Sequence, residues 1–363
     1  MGKSKDLATL ATTLNNGVNL QPNLITNGDM SVDQRNSGSS VTVSHATDTF
    51  CPDRFRFTEN HSGTFTIQQV EDAPDDLEYS SKITVTGTDT SLGAGEFARI
   101  LQGIEGKNVS HLNWGSSNAK TCTLTFYVKS SVTGAYYISL FNSAANRSFV
   151  SGYTINTADT WEKKTITITG DTSGTWLTTN SAGIYISWSL GTGTTYQTST
   201  LNSWAGAFDM AGSDQINLAA TSGATWQLTG VSFVLGDTAP VTHPYESYDE
   251  NLARCQRYLY QVEGSLYDHI ATGFRNNTNQ FWFPLHLPCA MRAKPTYTAT
   301  NVGIWYGTGG SWSTSISGVA LYGTAAQDPF IIAPTSFTGI STSITEGIAG
   351  FANNGLLRLE AEL

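Results

Sequence analysis

AKTCTLTFYVKSSVTGAYYISLFNSAANRSFVSGYTINTADTWEKKTITITGD, running from Ala119 to Asp171, decides the fold class. From Cys122 onward the side chains alternate. Cys122, Leu124, Phe126 and Val128 share one face, and Thr121, Thr123, Thr125 and Tyr127 the other, which is the period of a half-buried strand. Ser130-Ser131-Val132-Thr133-Gly134 reads as a turn, and Tyr136 to Phe141 as a second strand with Ile138 and Leu140 on one face. Two more strands follow, at Ser148 to Ile155 and at Trp161 to Ile168. Short strands divided by Ser, Thr, Asn, Asp and Gly clusters predict an antiparallel sandwich or barrel, with these four strands as its central meander.

The pattern extends both ways. Upstream, strands are predicted around Leu24-Ile25, at Asp53 to Phe57, Thr64 to Val70, Ser81 to Val85 and Phe97 to Ile104. Downstream, Gly183 to Leu190 sets Ile184, Ile186 and Trp188 on one side, and Ala224 to Leu235 closes the domain. Between them, Gly191 to Asp214 is polar and glycine-rich and carries Tyr196, Trp204 and Phe208, so it is read as a long surface loop. Ser247-Tyr248-Asp249-Glu250 has the spacing of a capping box, and Leu252, Cys255, Tyr258, Leu259 and Val262 then fall on one helical face. Gly264 to Leu363 returns to strand patterns, including Gln280 to Leu285, Lys294 to Thr300 and the final Leu356 to Glu360. At the other end, Leu7, Leu10 and Leu14 form one narrow apolar stripe on a short helical leader. A helix that short is marginal alone in water, so it either docks on its own domain or, as the favoured reading, serves as an attachment segment that needs a partner chain. The predicted architecture is all-β: an N-terminal attachment and oligomerisation segment at 1–22, an antiparallel β domain at 23–246, which the resemblance given below makes a jelly-roll β-sandwich, a linking helix at 247–263, and a smaller β-sandwich at 264–363.

Only 13% of the 363 residues are charged, against 39% hydrophobic, so the surface is polar through Ser, Thr, Asn and Gly. A net charge of −10 without a basic stripe argues against a nucleic-acid partner. No apolar run is long enough to span a membrane, and MGKSKDLATLATTLNNG lacks the apolar core of a secretory signal. Cys51, Cys122, Cys255 and Cys289 are scattered, with no CxxC pair or metal-ligand spacing. His45, His61, His111, His243, His269 and His286 are isolated too. With no G-x-S-x-G elbow or phosphate-binding loop either, neither a cofactor nor a metal is expected.

NLITNGDM, LQGIEG, AKTCTLTFYVKSSVTG, WEKKTITITGDTSGTW and WQLTGVSFVLGD occur in that order. Together they resemble the carbohydrate-binding-module-like jelly-roll domain of tail-fibre and appendage proteins of tailed bacteriophages. ENLARCQRYLY, PCAMRAKPT and the closing LRLEAEL resemble the C-terminal portion of the same proteins. The resemblance implies a virion protein made in the host cytoplasm, a homotrimer contacting other tail or capsid proteins, whose β domains bind a host-surface glycan. Carbohydrate-binding jelly rolls often hold a structural calcium through carboxylates at two places. Here those places are Ser31 and Thr229-Gly230, so the site does not carry over, although Asp29 could serve in a different arrangement.

Glycoside cleavage needs paired carboxylates. Asp75-Asp76, Glu96 and Glu105 are available, but the strand pattern gives no reason for them to converge. The chain is therefore read as a non-enzymatic glycan binder, with a polysaccharide-degrading tailspike or a purely structural decoration protein as the alternatives. Sugar binding needs an aromatic platform among amides and hydroxyls. Trp114, Tyr196 and Trp204, flanked by Ser, Asn, Thr and Gly, are the predicted glycan contacts, and Trp188 and Trp226 are assigned to the core.

Overall fold

The structure, a computed structural model, describes residues 22–74, 76–240, 242–266, 268–278, 280–306, 311–313, 319–322, 330–334, 340, 344 and 346–363. Leu7, Leu10 and Leu14 lie outside the described residues. Contacts divide the chain into one unit reaching Asn251, with Leu363, and a second of Leu252–Glu362. Among the described residues no helix is long and apolar enough to cross a membrane.

The strands of the first unit are β1 (Val41–Thr42), β2 (Thr49–Phe50), β3 (Arg56–Glu59), β4 (Thr64–Val70), β5 (Ser80–Gly87), β6 (Phe97–Glu105), β7 (Cys122–Ser130), β8 (Gly134–Phe141), β9 (Ser148–Ile155), β10 (Glu162–Ile168), β11 (Ala182–Thr192), β12 (Trp204–Ala205) and β13 (Thr225–Leu235). A short helix, α1 (Gly106–Val109), follows β6. Two sheets form, ordered β1-β4-β5-β13-β7-β10 and β12-β9-β8-β11-β6-β3-β2. One buried cluster unites Leu124, Phe126 and Phe233 of the first sheet with Ile100, Ile138, Ile186 and Trp188 of the second, as two sheets packed face to face require. This is the antiparallel sandwich that the alternation predicts, in the jelly-roll form that the resemblance implies.

The decisive stretch is not a meander. Its outer strands pair with each other, Leu124 opposite Ile166 and Thr125 opposite Thr165, while β8 and β9 pair in the other sheet. The turn at Ser131–Thr133 carries the chain across the sandwich. Both pairs present an apolar face to one shared core, so alternation alone is compatible with either pairing. Leu24-Ile25 is likewise a bend and not a strand. Asn27 and Met30 there take left-handed backbone angles, φ 60° and 61°. The buried Asn27 amide closes the bend by donating to the carbonyls of Val32 and Asp53, both at 2.8 Å.

The predicted helix stops early, as α2 (Tyr248–Gln256). Its capping box forms: the Glu250 N–H donates to Ser247 Oγ at 3.3 Å, and the Ser247 N–H donates to the Glu250 carboxylate at 3.2 Å. Leu259 to Glu263, the end of the predicted helix, belongs instead with Gly264 to a strand, β14 (Leu259–Gly264). Leu259-Tyr260-Gln261-Val262-Glu263 fits either period over so short a run, and pairing with the C-terminal strand decides it.

In the second unit β14 is followed by β15 (His269–Asn277), β16 (Gln280–Leu285), β17 (Thr296–Tyr306), β18 (Ser311–Ser313), β19 (Val319–Tyr322), β20 (Phe330–Pro334) and β21 (Glu346–Glu360). The long β21 pairs first with β15 and then with β14, and runs beside β17. Phe281, Phe283, Ile304, Phe351, Leu357 and Leu359 fill this unit's own core.

Candidate functional site

The site follows from the period of β11. Ile184, Ile186 and Trp188 point into the core, so Tyr185, Ser187 and Ser189 are left on the outer face of the seven-stranded sheet. Register sets their neighbours. Ser187 lies between Ser139 and Leu101, Tyr185 between Phe141 and Gly103, and Ser189 between Tyr137 and Arg99. Arg56 on β3 sits beside Leu101. This face therefore gathers three aromatic rings, two guanidinium groups and three serine hydroxyls outside the main core.

The 193–215 segment builds a wall along it. Tyr196 packs edge-on against Phe97, with ring centroids 5.7 Å apart, and also against Phe208 at 5.7 Å. Phe208 packs on Phe141 at 4.9 Å, and Phe141 stacks on Tyr185 at 5.0 Å. At the far end Tyr137, Val150 and Ala211 form a small separate apolar cluster. The Tyr137 hydroxyl donates to Asp214, and a Cβ at Gly212 would lie 2.3 Å from that hydroxyl oxygen, so only glycine lets the wall close there.

Arg99 is the centre of this arrangement. Its guanidinium carbon lies 4.9 Å from the Phe97 ring, 5.4 Å from Phe141 and 5.4 Å from Phe208, within cation–π range of all three. Nη1 faces the Met210 sulfur at 3.9 Å, and Nε has no hydrogen-bond partner among the described residues. Burial, followed by the like charge of Arg56, lowers its pKa to about 10, so it remains a cation at neutral pH. Arg56 differs in having a carboxylate partner: it pairs with Asp48 at 2.6 Å and lies 5.5 Å over the Tyr185 ring. Among the described residues, Ser139 Oγ, Ser187 Oγ, Arg56 Nε and Gln215 Oε1 are also buried without a hydrogen-bond partner. Gln215 Nε2 donates to Ser189 Oγ at 2.9 Å, which ties that amide to the same face. Buried polar atoms are ordinarily paired, so this many orphaned atoms on one sheet face is a chemical feature of the molecule. Phe141, Ser139 and Ser187, at 5%, 1% and 0% exposed, lie beneath the wall, and the partly exposed Arg99, Tyr185, Tyr196 and Phe208 are the groups open to a ligand.

The sequence-predicted contacts separate. Tyr196 belongs to the wall just described. Trp114 and Trp204 lie together elsewhere, 5.2 Å apart, each also packed on Trp176 at 5.0 and 5.2 Å. Trp114 is only 8% exposed and touches Phe233 in the core, so its ring offers no open platform. Trp204 is half-buried against Phe149. Polar flanks did not keep these rings outside because each indole N–H finds a carbonyl: Trp114 donates to Lys120 at 2.8 Å and Trp204 to Thr169 at 2.7 Å. The polar partners of the face, Arg99, Ser139 and Ser187, were missed. Their signal was present in the strand alternation, as the residues opposite Ile100, Ile138 and Ile186, but a serine or arginine on an outward face reads as ordinary surface.

At the opening bend, where Asp29 was the remaining carboxylate for a cation, the Asn251 amide donates to Asp29 Oδ1 at 2.8 Å, Ser31 Oγ at 3.0 Å and Asn27 Oδ1 at 3.3 Å. Among the described residues no group of three or more His, Cys, Asp or Glu is placed to hold a metal ion.

No protein-family model matches the chain, and none of the curated protein sequences does. Solved structures are similar in chain course over part of this chain. The tailspike protein 4 enzymatically active domain of bacteriophage CBA120 is 13% identical over 59% of this chain, with a TM-score of 0.31. This chain spans only 21% of that one. A putative sugar binding protein from Bacteroides thetaiotaomicron is 12% identical over 59% of this chain and 100% of its own, with a TM-score of 0.34. TmCBM61, solved in complex with β-1,4-galactotriose, is 9% identical over 59% of this chain and 99% of its own, with a TM-score of 0.30. At such low identity and TM-score no function carries over.

Proposed function

We propose that the first unit is a glycan-binding module that holds a host-surface polysaccharide on the outer face of its seven-stranded sheet without cleaving it. The observation that carries this reading is the convergence, on one face outside the core, of the partly exposed rings of Tyr185, Tyr196 and Phe208 with the guanidinium of Arg99. A pyranose presents an apolar face and a rim of hydroxyls, and this set matches both. The ordered sequence resemblance supports the wider setting: a tail fibre or appendage of a tailed phage, assembled as a homotrimer through the leader.

The test is binding of the purified full chain to surface polysaccharides by calorimetry. Phe208→Ala removes half of the wall's aromatic contact from a partly exposed position. It should weaken binding about tenfold, or 1.4 kcal/mol, with little change in melting temperature. Unaltered affinity in that variant would sink this placement of the site. Release of reducing ends from the bound polysaccharide would replace the non-cleaving reading with the tailspike one. Light scattering on the full chain decides the trimer, and immunogold labelling of phage particles decides the virion setting.

A further inference from the structure

The orphaned atoms on the outer face are not chemically neutral, and that narrows what the face accepts. Arg99 is partly exposed, its Nε is buried, and it has no carboxylate partner among the described residues. The charges that reach it most strongly are those of Arg56 and Asp48, and these two are already bound to each other. A partly desolvated guanidinium without a counter-ion is unfavourable. The aromatic rings around it recover part of that cost and fix the group in place, but they supply no hydrogen-bond acceptor. A neutral sugar hydroxyl would fill one position of the fork. A carboxylate accepts from the guanidinium as well and brings the missing charge.

We propose that the sugar held here carries a carboxylate, as a hexuronic or nonulosonic acid does, and that Arg99 receives it while a ring of the wall covers the pyranose. This rests on the glycan-binding reading above. The overall charge of −10 weighs the other way at long range. An acidic chain repels an acidic polymer, so an acidic glycan needs a local, uncompensated cation, and Arg99 is one. Among the wall's carboxylates, Asp214 accepts from Tyr137 and Asp209 from Thr198, so both are already engaged.

The experiment uses the full chain and a panel of polygalacturonate, alginate, hyaluronan and polysialic acid, each beside its carboxyl-reduced form, with β-1,4-galactan and dextran sulfate as neutral and sulfated references. At least one acidic glycan should bind, and carboxyl reduction should weaken it at least tenfold. Arg99→Met should give the same loss while melting no lower than the parent, because it exchanges an unpaired, partly buried cation for an apolar side chain of similar length. Lys107→Met, an exposed lysine on α1, should leave binding unchanged. If reduced and acidic forms bind equally, or dextran sulfate alone binds, the carboxylate inference falls and the glycan reading stands. If no member of the panel binds, both fall. Should Arg99→Met fail to fold, the comparison of acidic and reduced glycan on the unaltered chain still decides.

Discussion

The side-chain amide of Asn251 donates to Asp29 Oδ1 at 2.8 Å, across 222 positions of sequence. The same side chain accepts the Asn27 backbone N–H at 3.0 Å and is only 1% exposed. One residue at the start of α2 thus closes the opening bend of the sandwich. Asn251→Leu should destabilise the first unit by about 2–3 kcal/mol, the usual cost of leaving a buried donor and acceptor unpaired. Asn251→Asp should be worse at neutral pH, since it sets a second carboxylate beside Asp29. Its deficit should shrink on acidification, as denaturant melts at two pH values would show.

The same contact predicts where the domain can be cut. A fragment of residues 22–246 lacks Asn251, whereas one of residues 22–256 keeps it together with the capped helix. The shorter fragment should unfold at lower denaturant by a margin matching Asn251→Leu. Equal midpoints for the two fragments would show that the bend closes without the helix.

Trp204 and Trp188 should both prove structural, to different degrees. Trp188 is fully buried between the sheets, and Trp188→Ala should cost roughly 3–5 kcal/mol. Trp204 is half-buried but pins its loop through Trp114, Trp176 and Phe149, so Trp204→Ala should cost about 2–3 kcal/mol. A negligible change in the melt of Trp204→Ala would restore it as a surface platform.

Acid should release one defined contribution. Burial alone would raise the Glu162 carboxyl, but hydrogen bonds from Lys164, from the backbone of Thr157 and Asn156, and from the Asn156 amide outweigh it and hold the pKa at about 2. A carboxylate depressed in the folded state stabilises fully above its unfolded pKa, near 4.5, and that contribution is lost as pH falls towards about 2. Glu162→Gln should therefore lower the melting temperature at pH 7, with the gap to the parent narrowing below pH 4.5. A gap that stays constant from pH 7 to pH 3 would contradict the assigned contacts.

Periodicity made most strands legible, because a half-buried strand writes its two faces into alternating residues. Leu124/Thr125 and Ile186/Ser187 are such cases. Strand partners were not legible: Leu124 finds Ile166 and not the neighbouring Ile138 because of the sandwich's depth, a long-range property. Helix against strand over residues 259–264 was equally undecidable before β21 was in place. For the site, Tyr196 was legible as a loop aromatic. Trp114 was not, because a polar turn can still fold its indole inward when Lys120 offers a carbonyl. Arg99 could be found only after register had set it beside Ser189 and below Phe208.

The close approach of Gly212 to Tyr137 has an evolutionary consequence. The phenol occupies the space that any side chain at 212 would need, so these two positions cannot drift independently. Among diverging copies of this chain, a larger residue at 212 should occur only beside a small one at 137. Such an exchange would also take away the hydroxyl that holds Asp214. The wall would then stand differently against the sheet, and lineages would change what they grip through a site that never touches it.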